Sequence, residues 1–434
     1  MCHCCTTTEL RISPFEKVRN NQLNLMILHR CCLGWLLLSV VTAVWGDSNL
    51  KLRLLPEYHH RNDKSPFSLT SEGSRQWQML GELLLQSQKS GWTGNGALLA
   101  EYADEGDNEA KLELNELFYE TSWSDWEISL GKKRLGWGVG YGFRPLDLLQ
   151  QEPRRTVQPP RLDGIASVIL EKFSDTSSWS LIYANDIQWQ GLDIIDTRHA
   201  GALRWYQSLE QWDLLAITYL GEGGELAIGG GFSRVLGDAW KIHTEWVYRR
   251  DYAQWHNSLL DSGEIIAISN PMYQQSQRGA LQTVVGLYWT GTSGLNLLVE
   301  YGYDGTAYRT ADWQNLFDLT QQQHHWLNVP NLPSAAVIAN LNASRQAYTA
   351  PNLLRDNLLL RLAYDGTNHD PAIEWLLTPA DGGSVLTLLL ESEIGNHQSL
   401  RLGVRGYLGP TDSAYGSLTE DDVLFATWQT AWEL

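Results

Sequence analysis

The sequence predicts an all-β fold, a transmembrane antiparallel up-and-down β-barrel of about 18 strands, with 16 as the alternative and with long extracellular loops. Three observations predict it: an aromatic final segment, a composition low in charge and rich in Trp and Gly, and a repeated pattern of short alternating segments. In the final segment one side of a strand would carry Leu424, Ala426, Trp428, Thr430, Trp432 and Leu434. Such an edge invites aggregation in a soluble sheet, whereas a barrel that pairs its last strand with its first in lipid has no edge.

The composition narrows the class of protein. Only 19% of the 434 residues are charged, while 20 are Trp, 18 are Tyr and 38 are Gly. Trp and Tyr in such numbers suit the aromatic girdles that barrels place at the two membrane interfaces. The mean hydropathy of −0.28 is too polar for a helical membrane protein, but it suits a barrel with a wet lumen and wet loops.

The first 46 residues are predicted to be an N-terminal extension plus a secretory signal peptide, which leaves residues 47–434 as the barrel. The segment from Cys31 to Gly46 is apolar, follows a basic pair and ends in smallish residues. A start at Met26 would give this signal an ordinary length. All five Cys lie in the first 32 residues, so we expect no disulfide in the mature chain. The whole chain has 32 Lys and Arg and 50 Asp and Glu, of which four and two lie in residues 1–46. The mature chain would therefore keep 28 basic and 48 acidic residues, a net charge of −20, and this acidity argues against a nucleic-acid partner.

Beyond residue 47, apolar and polar residues alternate with a period of two in segments of about ten residues. In a barrel the apolar side of each segment would meet lipid, and the polar side would enclose water. The segments number about eighteen and centre near residues 53, 81, 99, 117, 128, 169, 181, 204, 215, 230, 244, 284, 299, 360, 375, 388, 402 and 428.

The lengths of the connections agree with this assignment of strands. Connections after even-numbered strands are short, and the long ones follow odd-numbered strands, at 58–74, 135–163, 186–199, 251–277, 304–350 and 408–421. Short periplasmic turns and long outer loops are typical of outer-membrane barrels. Within 304–350, the apolar stretches 313–317 and 335–339 are expected to form short helices above or inside the pore.

A basic, glycine-rich segment follows the fifth predicted strand and therefore forms the third outer loop. A loop folded into the barrel would narrow the pore and line it with cationic groups that select anions. The alternative is an outer rim position, where these groups bind lipopolysaccharide phosphates or pair with Asp and Glu. A nucleotide-binding glycine loop would need a βαβ unit, which this segment lacks. The constriction candidates are Lys132, Lys133, Arg134, Arg144, Arg154, Arg155 and Arg161.

Three motifs in this region resemble the alginate-export and porin-like outer-membrane barrels. They are the run 114–120, the run 126–132 that ends in Gly131-Lys132, and the Trp137-Gly138 turn followed by Arg144-Pro145-Leu146-Asp147. For the alginate exporter, the resemblance implies eighteen strands and an arginine-rich lumen. It does not indicate the substrate, and the acidity of this chain departs from an alginate exporter.

Charged residues on the polar side of the strands are candidates for the lumen wall. Closure of the barrel would bring the basic group near the first strand, beside an acidic group on strands two, three and five. The alternative is that these charges pair and stiffen the barrel. The basic candidates are Lys51, Arg53, Arg361, Arg401 and Arg405, and the acidic ones are Glu82, Glu101 and Glu127.

The predicted function is that of an outer-membrane porin-like channel or exporter in a Gram-negative bacterium, which passes a small or polymeric solute through a charged lumen. One alternative is a non-conducting, polysaccharide-anchoring or assembly barrel, which the long segment 304–350 favours. Another is an outer-membrane hydrolase built on His256 and Ser258, although the sequence predicts neither an enzyme nor a cofactor nor a metal site. The expected partners are outer-membrane lipid and lipopolysaccharide, the barrel-assembly machinery through the C-terminal strand, and a periplasmic export partner.

Overall fold

The computed structural model describes residues 47–68, 77–104, 108–150, 157, 163–190, 193–327, 329 and 334–434, with only the backbone described at residues 186–190 and 193–197. The predicted extension and signal peptide at 1–46 therefore lie outside the described residues.

The described residues form 18 strands and three α-helices. The strands are β1 (Asp47–Arg61), β2 (Trp77–Lys89), β3 (Trp92–Ala103), β4 (Glu109–Trp123), β5 (Trp126–Lys133), β6 (Ile165–Phe173), β7 (Ser177–Gln190), β8 (Asp193–Leu209), β9 (Trp212–Gly221), β10 (Leu226–Leu236), β11 (Trp240–Asn257), β12 (Met272–Thr290), β13 (Leu295–Asp304), β14 (Asp356–Tyr364), β15 (His369–Thr378), β16 (Gly383–Gly395), β17 (Gln398–Leu408) and β18 (Glu420–Glu433). The helices are α1 (Ser258–Ser262), α2 (Thr310–Trp326) and α3 (Ser334–Ser344), and short 3₁₀ turns cover Glu222–Gly224 and Arg345–Thr349.

Each strand pairs antiparallel with the next, and β18 pairs with β1 to close a single barrel. At the closure Leu50 lies opposite Trp432, and Leu54 lies opposite Trp428. Every predicted segment centre falls within one observed strand, so the predicted 18-stranded antiparallel barrel is confirmed.

Side chains alternate between the outside and the inside of the barrel because successive residues of a strand point to opposite faces. Large apolar side chains such as Trp432, Leu402 and Leu388 are exposed on the outside. Polar side chains such as Glu82 and Glu300 are buried on the inside. An exposed apolar exterior around a polar interior is the pattern that a lipid environment requires.

Outward aromatic side chains pair across neighbouring strands near both ends of the barrel. Trp240 and Trp289 lie beside the short turns, with ring centroids 6.2 Å apart. Tyr58 and Trp77 lie at the opposite end, 5.2 Å apart. These positions suit two interfacial girdles.

All connections after even-numbered strands are short, at 90–91, 124–125, 174–176, 210–211, 237–239, 291–294, 365–368 and 396–397, and they define the turn end of the barrel. The opposite end, the loop end, carries the connections after odd-numbered strands. The longest are L1 (62–76), L3 (134–164), L6 (258–271), L7 (305–355) and L9 (409–419).

Two predicted outer loops were wrong in extent. The stretch 186–199 continues the β7–β8 hairpin, in which Asp186 pairs with Arg198 and only residues 191–192 connect the strands. Much of 251–277 extends the β11–β12 hairpin, with Asp251 opposite Arg278. The alternating pattern predicts loops where the sequence is polar. The hydrogen-bonded pairing of two strands, however, continues beyond the apolar part of the barrel wherever the backbone groups still find partners.

The predicted short helices in L7 are confirmed, because 313–317 lies within α2 and 335–339 within α3. No helix among the described residues is long and apolar enough to cross a membrane.

Candidate site in the barrel lumen

The described part of L3, residues 134–150, runs across the barrel and binds the opposite wall. L3 leaves the barrel at β5, and its contacts lie on strands up to β15. One of the strands to which it binds, β13, is eight strands from β5 in one direction and ten in the other, so it lies nearly opposite. The loop therefore narrows the lumen.

Six consecutive backbone N–H groups of L3 donate to three carboxylates, in pairs. Those of Trp137 and Gly138 donate to Asp147 Oδ1, at 2.5 and 2.7 Å. Those of Val139 and Gly140 donate to Glu245 Oε1, the second at 2.8 Å. Those of Tyr141 and Gly142 donate to the two oxygens of Glu300, at 2.6 and 2.7 Å. This backbone hydrogen bonding fixes the path of the loop.

The two wall carboxylates come from the inner faces of β11 and β13, and both glutamate residues are 0% exposed. A buried carboxylate is costly unless hydrogen bonds or opposite charges compensate for lost water. The L3 amides supply this compensation, with Leu146 N also donating to Glu245 at 3.3 Å. On its other side Glu300 contacts His243 Nε2 at 2.8 Å. The loop and the carboxylates therefore stabilise each other.

Glycines in the wall leave space for the L3 side chains. A Cβ on Gly302 of β13 would lie 2.7 Å from the ring of Phe143, and one on Gly229 of β10 would lie 2.7 Å from Leu146. Leu146 is fully buried there with Val247 and Leu215. A side chain at either glycine would therefore clash with a side chain of L3 in its present position.

Tyr141 extends the contact to the next two strands. Its hydroxyl lies 3.4 Å from Glu374 of β15, and the guanidinium of Arg361 on β14 lies 5.3 Å from its ring. Arg361 and Glu374 are themselves 3.7 Å apart. This group joins the middle of L3 to the charged wall.

The basic residues predicted to line the constriction have different positions. Lys132 shares the outward face of β5 with Leu130 and pairs with Asp163 at 2.7 Å. Lys133 faces inward and pairs with Glu120 at 2.7 Å, and Arg134 pairs with Glu116 at 2.8 Å. Arg144 lies on L3 and donates to the carbonyl of Gly140. Arg154, Arg155 and Arg161 lie outside the described residues.

The predicted lumen charges share the inner face of the barrel, and three of the basic residues pair there with carboxylates on neighbouring strands. Lys51 and Arg53 lie on the inner face of β1, while Glu101 and Glu127 lie on the inner faces of β3 and β5. Arg405 donates to Thr387 Oγ1 at 2.9 Å. The closest pairs are Arg53–Glu82 at 2.8 Å, Arg401–Glu391 at 2.7 Å and Arg361–Glu374 at 3.7 Å. These positions favour the paired arrangement over separate basic and acidic walls.

Sequence reasoning missed the residues that anchor L3, namely Asp147, His243, Glu245 and Glu300. The alternating pattern marks Glu245 and Glu300 only as polar residues on the inner side of strands. A usable signal was the set of inward-facing glycines, Gly229, Gly231, Gly286 and Gly302, because a wall without side chains predicts close approach of another segment.

A second feature is the cap, which consists of the described residues of L1, L6, L7 and L9. Its core joins Trp313 of α2 and Leu353 to Tyr415 of L9, and packs on the inward side chains of Trp255 and Val385. Because those two side chains belong to the inner wall, the cap lies in the loop-end mouth of the barrel.

Polar contacts also hold the cap together. Arg345 Nε donates to the carbonyl of Phe67 at 3.1 Å, and Ser65 Oγ donates to that of Ser417 at 2.6 Å. The Tyr308 hydroxyl donates to the carbonyl of Trp255 at 2.5 Å. Burial, with a smaller effect of Asp312, raises the pKa of the Tyr308 phenol, so it stays a donor. The cap is therefore an ordered structure.

Within the described residues, no hydrogen bond joins His256 to Ser258, the pair on which a hydrolase would depend. His256 contacts Gln277 at 3.3 Å and lies beside the ring of Tyr273. The described residues contain no group of three or more His, Cys, Asp or Glu side chains placed to hold a metal ion.

Comparison with solved structures gave many matches at low sequence identity. OccAB3 of Acinetobacter baumannii aligns with a TM-score of 0.51 and 11% identity, over 89% of this chain and 99% of that one. OccD3 (OpdP) of Pseudomonas aeruginosa aligns at 0.50 and 9%, over 90% and 93%. The fold is that of an outer-membrane β-barrel.

A carbohydrate-binding barrel aligns equally well. Wzi, an outer-membrane protein involved in group 1 capsule assembly in Escherichia coli and a carbohydrate-binding β-barrel, matches at a TM-score of 0.50 and 9% identity. The alignment covers 88% of this chain and 85% of Wzi. No protein-family model and no curated protein matches the sequence, so the expected alginate-export family is not confirmed.

Proposed function

We propose that the protein is a porin-like channel of the Gram-negative outer membrane, which passes a small solute through a lumen narrowed by L3. The observation that carries the proposal is the attachment of L3 to Glu245 and Glu300 on the far wall. A loop folded into a wet barrel and held by buried hydrogen bonds sets the width and the chemistry of the pore. The likeness in fold to the Occ porins supports this proposal.

The proposed channel needs no energy source beyond a concentration gradient or a periplasmic partner. Lipid and lipopolysaccharide would surround the apolar exterior, and the barrel-assembly machinery would act on the C-terminal strand β18. The anion preference expected from the basic residues stays a prediction, because three of them lie outside the described residues and Lys132, Lys133 and Arg134 are paired with carboxylates.

The test is the conductance of the refolded protein in planar lipid bilayers. We expect stepwise currents in KCl, and larger steps from a variant in which residues 136–146 are replaced by a short Gly-Ser linker. Heat-denatured protein is the control for detergent leaks. A folded protein that gives no current, with or without the L3 replacement, would contradict the proposal.

The cap favours a second candidate, a non-conducting barrel that binds polysaccharide at the cell surface. Its apolar core packs on inward-facing wall residues, as a plug would, and Wzi, a carbohydrate-binding barrel, shares the fold. Replacing residues 310–349 by a short linker separates the two candidates. If the intact protein is silent and this variant conducts, the cap is a plug and the second candidate is favoured.

A further inference from the structure

The peptide groups between Gly138 and Gly142 all point the same way relative to the barrel wall. Their four N–H groups, on residues 139–142, donate to Glu245 and Glu300. The described part of the chain contains no cis peptide bond. In a planar trans peptide the C=O points opposite to the N–H. The carbonyls of residues 138–141, here called the carbonyl row, are therefore directed away from the wall.

Two residues of this part of L3 reach open space, while its glycines meet the wall. Gly140 is buried, with Val284 of β12 beside it, and Gly142 has no side chain where the loop meets Glu300 and Leu359. In contrast, Val139, which precedes Gly140, is 36% exposed, and Tyr141, which lies between the two glycines, is 40% exposed. The carbonyl row therefore lies on the side of L3 away from the wall, beside two side chains that reach open space.

The protein already places one cation on this row. The Arg144 Nε donates to the carbonyl of Gly140 at 2.8 Å. Its side chain also packs on Gly138, where an added Cβ would lie 2.6 Å from the Arg144 Cβ. A cationic N–H donor is therefore the kind of group that fits these carbonyls.

We propose that the carbonyl row makes the constriction prefer cations, against the anion preference expected from the basic residues, and gives it a binding site for small organic cations of the guanidinium or ammonium type. Aligned carbonyl dipoles replace the hydration of cations in pores, and they repel anions. The net charge of the whole chain, −18, acts in the same direction by raising the local concentration of cations. The part of this inference that concerns conduction rests on the proposed function.

The first experiment measures the reversal potential across a KCl gradient in planar bilayers. We expect preference for K⁺ over Cl⁻ in the wild-type channel, and a stronger preference in Arg144→Met. Lys51→Met, which removes an inward cation on β1 away from L3, is the matched control for loss of a positive charge in the lumen. Anion preference that Arg144→Met abolishes would overturn the inference and would leave the proposed channel intact.

The second experiment uses guanidinium chloride as the probe, at millimolar concentrations that do not denature the protein. Removing Arg144 vacates its carbonyl partner, so guanidinium should bind Arg144→Met about tenfold more tightly, because a hydrogen bond from a charged group is worth about one decade in affinity. Lys51→Met should bind it as the wild type does.

Binding is measured by block of the current and by calorimetry on the detergent-folded protein. Calorimetry tests the binding of guanidinium even if no current is found. A missing current alone would count against the proposed channel and not against the cation site. Equal guanidinium affinity in wild type and Arg144→Met would overturn the inference.

Discussion

The backbone amide of Gly142 donates to the carboxylate of Glu300 at 2.7 Å, although 158 residues separate them in the chain. This contact joins a loop that starts on β5 to a strand on the far side of the barrel. Gly142 leaves room for Glu300 and Leu359, and Glu300 supplies two acceptor oxygens for neighbouring amides. The position of L3 therefore depends on the charge and shape of one buried side chain.

Replacing this carboxylate should loosen the loop. In Glu300→Gln one oxygen becomes an NH₂ group that cannot accept from the L3 amide, and His243 loses its charged partner. We expect a loss of about 1.5 to 3 kcal/mol in the stability of the L3 contact, the contribution of a hydrogen bond to a charged group. Single-channel recording should show larger and noisier currents. Glu393→Gln, at an exposed site of β16, is the control, and a quiet wild-type-like current in Glu300→Gln would argue against this anchor.

The sequence was sufficient to predict the strands because strand formation in this barrel is a local pattern. Alternation with a period of two marks each strand, and short polar stretches mark the turns, as at Ser124-Asp125 between β4 and β5. The pattern was less reliable at the loop end. There the β7–β8 and β11–β12 hairpins continue with polar residues, which the pattern assigned to loops.

The path of L3 could not be predicted in the same way, because it depends on contacts between distant parts of the chain. Glu245 lies 105 residues from Gly140, and in its own strand it resembles any lumen-lining residue. The glycine-rich sequence indicated a loop that bends, but several loop positions suit such a sequence. Only the combination of inward glycines on β10 and β13 with two buried glutamates selects the observed path.

A side chain at Gly302 should push L3 off the wall. A Cβ there would lie 2.7 Å from the Phe143 ring, so Gly302→Val should displace the loop and expose the Tyr141–Gly142 bond to chymotrypsin. Phe143→Ala in the same chain should restore protection, since it removes the clashing ring. Gly201→Val on β8, where the nearest atom to a new Cβ is 3.9 Å away, is the control. Cleavage that persists in the double variant would show that the clash is not the cause.

Removing one member of the Arg53–Glu82 pair should destabilise the β1–β2 hairpin more than replacing both members. The side chains are 2.8 Å apart and 13% and 2% exposed, so Glu82→Ala leaves a partly buried guanidinium without its partner. Breaking such a pair costs about 3 to 5 kcal/mol, whereas replacing both members by apolar residues is often neutral. In detergent, Glu82→Ala should therefore unfold at a lower urea concentration than the double variant Arg53→Met/Glu82→Leu. Equal loss in both variants would contradict this account.

Trp313 should stabilise the cap without supporting the barrel. It is 1% exposed and contacts Tyr308 and Tyr348, with ring centroids 6.2 and 5.1 Å apart. Trp313→Ala removes a large buried side chain, and such changes cost about 3 to 5 kcal/mol. The strand ladders do not depend on α2, so we expect the barrel of the variant to unfold at the same rate as that of the wild type and to show the same gel migration before and after heating.

The cap itself should open in this variant, and proteinase K added to cells or liposomes should then cut L7 while the strands stay protected. Trp123→Ala, at a site that is 73% exposed at the turn end, is the control for loss of an indole and should leave L7 resistant. If Trp313→Ala instead abolished the folded barrel, the cap and the strands would form one cooperative unit. A plug that opens independently of the barrel would then be excluded, because the cap could not leave the mouth without unfolding the wall on which it packs.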